Sequence, residues 1–349
     1  MKKLFMCIIG IFTFCNIGYT HKLTEVIQNV LPAVVYIEIE YFIMVDHIDA
    51  ATGKVTKIKK GIRSSTGSGF MISSDTVVTN YHVISFAIKN NTKIEISFKN
   101  NDINYIAKIL GYDKIADIAL LKIKGNHPFV KIVNSYSFRA GDPIFSISHF
   151  YGIGWSTTQG IISSDDHEDN RFPYIKHLQI QLLLGTGSSG GPVFNEYGDV
   201  IAINHNIISM FLPKPDLPKD LPMLSPVGFA IRADTLQTTI ERIKKEIIVT
   251  RADLGAILIN FSVGNEFHEK YAPNNFLNGV FVLDIDTKNK TTLKPLDLII
   301  SVDKHAYTDP EKLLNYIDEK YNPEDIINMQ VYRDKKIINI AVTLVTAER

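Results

Sequence analysis

The sequence predicts a mainly β protein of two units: a barrel or sandwich of short strands, then a smaller α+β unit. Three observations carry this. At 349 residues the chain exceeds what one ordinary core supports, so two domains are expected. From Ala33 to Ile231, β-branched and apolar runs alternate with turn residues. Beyond Arg251 the pattern changes to four strand-like runs around a single helix. The composition, 45% hydrophobic and 21% charged, is that of a folded globular chain. The 37 basic residues balance 37 acidic ones, so charge gives no case for nucleic acid or an anionic membrane.

The elements follow in order. Met1-Lys2-Lys3 is basic, Leu4 to Phe14 is apolar, and small or polar residues run from Asn16 to Thr20. Residues 1–20 therefore read as an export signal cleaved near Gly18 to Thr20. A retained anchor is the alternative, although the apolar run is shorter than the roughly 20 residues a membrane span needs. Cys7 and Cys15 both lie in this segment, and its removal would leave no thiol for disulfides, catalysis or zinc. Leu23, Val26, Ile27 and Val30 recur at helical spacing. Val34 to Ile39 is strand-like, and Asp46 to Ser65, polar and Lys-rich, reads as an exposed loop. Further strand-like runs are Phe70 to Ile72, Lys93 to Phe98, Ile103 to Leu110, Ile118 to Ile123 and Val200 to Asn204. Asp165 to Asn170 is a polar tip, and Phe211 to Pro226, with five prolines, is irregular.

Asp234, with Gln237 three residues on, predicts a capped helix whose stripe is Leu236, Ile240, Ile243 and Ile247. This helix closes a first domain, 21–248, and a second, 249–349, begins near Arg251. Its strands are Gly279 to Ile285, Leu298 to Val302, Ile327 to Tyr332 and Ile337 to Val345. Its helix starts at Pro310, after Thr308-Asp309, with Leu313, Leu314 and Ile317 facing inward.

Chemistry concentrates in three segments. Gly185-Thr186-Gly187-Ser188-Ser189-Gly190-Gly191-Pro192 is a glycine-rich turn around a serine. A serine nucleophile needs a neighbouring base, and backbone N–H donors for the oxyanion it creates. Small residues let the peptide at Gly187 and the N–H of Ser189 converge without obstruction. By itself the cluster also describes a surface turn. Thr79-Asn80-Tyr81-His82-Val83 follows the apolar run Thr76-Val77-Val78 and puts a histidine at a strand end, where a base is held rigidly. Asp117, at the start of the apolar run to Ile123, offers a carboxylate to the second imidazole nitrogen. The three occur in the order His, Asp, Ser, which is the chain order of chymotrypsin-type proteases.

These residues resemble the HtrA family, trypsin-like proteases with C-terminal PDZ domains. The likeness covers nearly all of the chain after the signal segment. Gly67-Ser68-Gly69-Phe70-Met71-Ile72 resembles the start of the family's protease domain, and Thr79 to Val83 its histidine motif. Asp113 with Asp117 to Ile123 resembles its aspartate segment, and Gly187 to Pro192 its nucleophile motif. Val200 to Asn204 and Gly228-Phe229-Ala230-Ile231 resemble two later strands. The resemblance implies a chymotrypsin-like double β-barrel followed by a PDZ-type α+β domain. It implies a triad of His82, Asp117 and Ser189, an oxyanion hole at Gly187 and Ser189, and no cofactor. It also implies ATP-independent cleavage of unfolded or damaged polypeptides in the periplasm or outside the cell, and an assembly of three or more copies.

The chain departs from the family at several places. Ser188 stands where Asn is usual, and Gln179 to Leu184 where the stretch is polar. Ser148 to Gly152 replaces a Gly-Asn-Pro-Phe-Gly segment. His205 stands where a small residue is usual. The specificity pocket is expected at Leu184, Ile203, Asn204 and His205. With no acidic residue just before Gly185, a small or medium apolar side chain is preferred over Lys or Arg, although Leu183 and Leu184 also read as core. Leu254, Gly255 and Ala256 resemble a PDZ carboxylate-binding loop, implying C-terminal peptides as partners through an added strand. Leu296-Asp297 and Asp334-Lys335 replace Gly-Asp and Asp-Gly there. His167, His177 and His205 lack HxxxH or HxH spacing, so no metal site is expected. The rival function is a chaperone or peptide-binding adaptor that uses the same cleft without catalysis.

Overall fold

Val34, Val35, Ile37 and Ile39 are fully buried, and the strand that carries them, Val34–Ile48, is an interior strand of the first sheet. The computed structural model describes residues 23–48, 52–133, 138–150, 154–167, 174–207, 224–261, 279–285 and 291–347. The signal segment with both cysteines, the end of the polar tip at 168–170 and most of the proline-rich stretch lie outside the described residues. Among the described residues no helix is long and apolar enough to cross a membrane.

The first sheet has seven strands. In spatial order they are Tyr105–Ile106, Glu95–Phe98, Val34–Ile48, Val55–Met71, Thr76–Thr79, Ile118–Lys122 and Lys108–Asp113. Its two outermost strands are separated in sequence by Ala107 alone, so the sheet must curl until its edges nearly meet. The predicted loop Asp46 to Ser65 is instead the far end of a long hairpin, with partners running from Val34↔Phe70 to Ile48↔Val55. Backbone hydrogen bonds carry that pairing, and a reading of apolar alternation does not see them.

The second sheet is a closed six-stranded barrel. Its order is His177–Gln181, Gly228–Arg232, Val200–Ile207, Pro192–Asn195, Pro143–Phe150 and Gly154–His167. Phe145, Ile147, Phe194, Val200, Ile203 and Ile231 from this barrel join Ile37, Phe70, Val78 and Leu120 from the first sheet in one core.

Among the described residues, three α-helices complete this part: α1 (Leu23–Val30), α2 (Tyr81–Asn90) and α3 (Ala233–Lys245). The apolar stripe of α3 is buried at Leu236, Ile240 and Ile243, while Ile247, past the helix end, is exposed. The expected capping box is absent: Arg232 is the N-cap residue and Asp234 sits in the first turn. There Asp234 pairs with Arg232 at 3.1 Å, and Gln237 donates to the Ile132 carbonyl at 3.2 Å. The neighbouring arginine and a long-range acceptor hold the two side chains that a local cap would have used.

The second unit is a five-stranded antiparallel sheet, in the order Ala256–Phe261, Gly279–Ile285, Leu298–Val302, Ile326–Arg333 and Lys336–Thr343. It is covered by α4 (Pro310–Lys320), whose Leu313 and Ile317 pack with Leu254, Val282, Ile299 and Val331. Asp309 caps α4 by accepting the Glu311 N–H at 2.8 Å. Where the family's glycines are missing, the backbone keeps the glycine-like conformation: Leu296, Asp334 and Lys335 have φ of 74°, 50° and 63°. Asp334 and Lys335 form the two-residue hairpin turn between Arg333 and Lys336, a geometry that demands positive φ at both positions.

Candidate active site

Strand Thr76–Thr79 runs directly into α2, and His82 lies in the first turn of that helix. Asp117, at φ 53°, precedes strand Ile118–Lys122, which is paired with Thr76–Thr79. The shared ladder sets the two residues side by side. The Asn80 side chain and the Tyr81 N–H both donate to the Asp117 carbonyl, at 3.0 and 3.1 Å. The Asp117 carboxylate accepts the His82 backbone N–H at 2.8 Å through Oδ1 and stands 2.6 Å from His82 Nδ1 through Oδ2. A carboxylate only accepts, so His82 carries its proton on Nδ1 and leaves Nε2 as a base.

Burial opposes the charged imidazolium of His82, but the hydrogen bond to Asp117 and its negative charge outweigh burial and raise the His82 pKa. Burial likewise opposes the Asp117 carboxylate. Hydrogen bonds from His205 and then His82 override it and hold Asp117 at about 2. The His82 side chain is still 48% exposed, open to the cleft.

The nucleophile turn is built from short-range bonds. The Ser188 N–H donates to the Gly185 carbonyl at 2.9 Å, and Gly187, third in this turn, has φ 95°, as a type II turn requires. A type I turn over the same residues would invert the central peptide and exchange the directions of its N–H and C=O. The Ser188 hydroxyl donates to the same Gly185 carbonyl at 2.6 Å, so this residue staples the turn. Among the described residues neither the Gly187 N–H nor the Ser189 N–H has an acceptor. These two donors are available to a developing oxyanion.

Ser68, to which the sequence reading gave no role, ties this turn to the first sheet. Its N–H donates to the Ser189 carbonyl at 2.8 Å and its hydroxyl to the Gly187 carbonyl at 2.7 Å. Its place between Gly67 and Gly69 in a motif at a strand end was the available signal.

One cavity of about 600 Å³ is lined by His82, Asp117, Gly187, Ser189, Leu184, Asn204 and His205. Among the described residues, no hydrogen bond joins the Ser189 hydroxyl to His82. The expected pocket residues divide. Leu184 is almost wholly buried at the cavity wall. Ile203 is fully buried in the core and lies outside the cavity lining. Asn204 turns its amide to the Ser146 hydroxyl at 2.8 Å. His205 faces Asp117, with Nε2 3.3 Å from Oδ2, and its Nδ1 is 2.9 Å from His177 Nε2. His167, the third scattered histidine, pairs with His177 along the backbone. Among the described residues no cluster of three or more His, Cys, Asp or Glu side chains is arranged to hold a metal ion.

In the second unit, Leu254 is buried and Gly255 has φ 66°, with its N–H donating to Asp253 Oδ1 at 2.7 Å. Ala256 begins the edge strand of the five-stranded sheet. The loop therefore has the expected glycine geometry, and one of its three donors is held by the chain's own carboxylate.

Residues 67–203 match the trypsin-like peptidase domain. A protein of Marinomonas sp. (strain MWYL1), named a probable periplasmic serine endoprotease DegP-like, is 31% identical over 300 residues, covering 84% of this chain and 59% of that protein. A protein of the same name from Rickettsia prowazekii (strain Madrid E) is 32% identical over 306 residues, covering 84% and 55%. The chain thus spans little more than half the length of these relatives. Among solved structures, the HtrA-type protease AlgW with a decapeptide superposes with a TM-score of 0.73 at 22% identity, covering 94% of this chain and 99% of that one. A serine endoprotease from Yersinia pestis superposes with a TM-score of 0.65 at 21% identity, covering 93% and 98%. The two-unit fold is that of these structures, residues 67–203 are similar to the trypsin-like peptidase domain, and the chain is similar over most of its length to serine endoproteases of the DegP-like kind.

Proposed function

We propose that this protein is an ATP-independent serine endopeptidase of the periplasm that cleaves unfolded or damaged polypeptides, with domains at 21–248 and 249–349. The observation that carries the reading is the His82–Asp117 pair, joined at 2.6 Å and facing Ser189 and two unoccupied N–H groups across one cavity. His82 Nε2 takes the Ser189 hydroxyl proton as the oxygen attacks the scissile carbonyl. The Gly187 and Ser189 N–H groups receive the oxyanion. The imidazolium, balanced by Asp117, then gives its proton to the leaving amine. Water repeats the sequence on the acyl-enzyme and restores Ser189. The periplasmic setting rests on the relatives' names, and the trimeric or larger assembly on the family likeness.

The rival reading, a binding protein without catalysis, is favoured by one observation: no hydrogen bond joins the Ser189 hydroxyl to His82. Such bonds are often long before substrate arrives, so this spacing is compatible with catalysis. The deciding test gives casein to the purified protein and to Ser189→Ala. Turnover by the parent and none by the variant is expected. Equal turnover by both, or none by either, leaves the binding-protein reading.

A further inference from the structure

His205 and His177 are buried histidines that the triad chemistry leaves without a role. His205 sits on strand Val200–Ile207, where the pairing with strand Gly228–Arg232 slips: Asn204 pairs with Ala230, Asn206 with Phe229, and His205 is the extra residue between them. Such a bulge re-aims the side chain it carries. The neighbouring backbone is clamped to the nucleophile loop, because the Gly190 N–H donates to the Asn204 carbonyl at 3.0 Å and the Asn204 N–H to Gly191 at 2.8 Å. From this fixed point His205 Nε2 reaches to 3.3 Å of Asp117 Oδ2, the oxygen that also binds His82.

The proton positions follow from the partners. Ionised Asp117 only accepts, so His205 presents an N–H at Nε2. A neutral His205 then has a lone pair on Nδ1, which His177 must fill with its own Nε2–H across 2.9 Å. The two rings are nearly parallel, at 11°, with centroids 5.1 Å apart, the arrangement of imidazoles joined edge to edge. The hydrogen bonds therefore run in one direction, from His177 to His205 to Asp117, and meet the one from His82 on the same carboxylate.

We infer that His205, oriented by His177, is a positioning residue of this active site: it fixes the Asp117 carboxylate through Oδ2, the oxygen that also faces His82. Asp117 then has three donors, the His82 N–H, His82 Nδ1–H and His205 Nε2–H, and one side-chain orientation satisfies them all. The inference rests on the proposed proteolytic reading for its consequence in turnover, but not for its geometry.

Two measurements test it separately. In protein with 15N-labelled histidine, NMR should report the Nε2–H tautomer for His205, and the His82 Nδ1–H resonance should move in His205→Leu. This arm needs no activity, so it decides the geometry even if the parent proves inert towards casein. An Nδ1–H tautomer at His205, or an unmoved His82 resonance, would overturn the inference. In the second arm, His205→Leu should lower kcat on the order of ten- to a hundredfold, by analogy with partners that orient metal-bound histidines, and change KM little. His205→Gln, which keeps a donor at the Nε2 position, should recover most of the loss. Where His205→Leu folds poorly, the double variant His177→Leu/His205→Leu removes the stranded polar partner, and the same loss of kcat is expected in it. Parent-like kcat in a folded Leu variant, or no recovery with a folded Gln variant, would count against positioning. A parent inert towards casein, with the tautomer as stated, would sink the protease reading alone.

Discussion

His82 can accept the Ser189 proton only while its imidazole is neutral. Burial opposes its protonation, but the Asp117 hydrogen bond and charge win and raise its pKa. The neutral fraction is therefore lost as pH falls through a value above the ordinary histidine pKa of about 6.5. Asp117 remains ionised down to about 2 and adds nothing to that limb. The acidic limb of kcat/KM on an unfolded substrate should have its midpoint above about 6.5, and a midpoint near 5 would show that Asp117 is not paired with His82 in the working enzyme. The residues that meet at the cavity, His82, Asp117 and Ser189, were legible in the sequence because each sits in a short motif whose residue types the chemistry constrains. His205 was placed in the specificity pocket instead. Its direction depends on a bulge between two strands, and nothing local in Asn204-His205-Asn206 encodes that slip. Ile203 failed as a pocket residue for a related reason: which face of a barrel strand points to the core depends on register.

Gly190 shows how the elements constrain the nucleophile turn. Its φ is 81°, and a Cβ there would lie 2.2 Å from the Ser68 carbonyl oxygen and 2.4 Å from Thr79 Oγ1. Those two atoms are themselves hydrogen-bonded at 2.7 Å, and the same Ser68 holds the Ser189 and Gly187 carbonyls. Gly190→Ala therefore strains the backbone by about 1–3 kcal/mol and pushes on the residue that fixes the turn. A lower melting temperature is expected, with a loss of turnover larger than the unfolded fraction explains. Parent-like melting and turnover would mean that the turn tolerates displacement. At this scale the elements with a strong apolar stripe or run, such as Leu23–Val30 and Gly279–Ile285, lay where the sequence put them. The hairpin end at 46–65 and the start of α3 did not, because backbone pairing and the Arg232–Asp234 pair decide them.

Across the whole molecule, Arg251 joins the two units. Its Nε and Nη2 donate to Asp113 Oδ2 at 3.0 and 2.6 Å, and its Nη1 to Asp318 Oδ2 of α4 at 2.6 Å. Arg242 of α3 reaches the same Asp318 at 2.6 Å. Asp113 Oδ1 accepts the Ile115 and Ala116 N–H groups at 3.0 and 2.8 Å, immediately before Asp117. One carboxylate thus serves both the second unit and the loop that leads to Asp117. If Leu254, Gly255 and Ala256 read C-terminal peptides, this is the physical route by which binding would reach the active site. A free-acid peptide should then bind more tightly than its amidated form, with the Gly255 N–H contributing only if Asp253 releases it; equal affinities would make the unit a structural one. Arg251→Met tests the connection itself. Asp113 is fully buried and Asp318 nearly so, and losing their shared cation leaves Asp318 to Arg242 and Asp113 without its arginine in a poorly hydrated site. Breaking a buried pair from one side costs about 3–5 kcal/mol, so a lower denaturation midpoint is expected. Turnover should fall in the fraction that stays folded, because the Asp113 loop loses its anchor. A stability loss with unchanged turnover per folded molecule would confine Arg251 to holding the units together. Parent-like stability would show that the three charges are not joined as the distances imply.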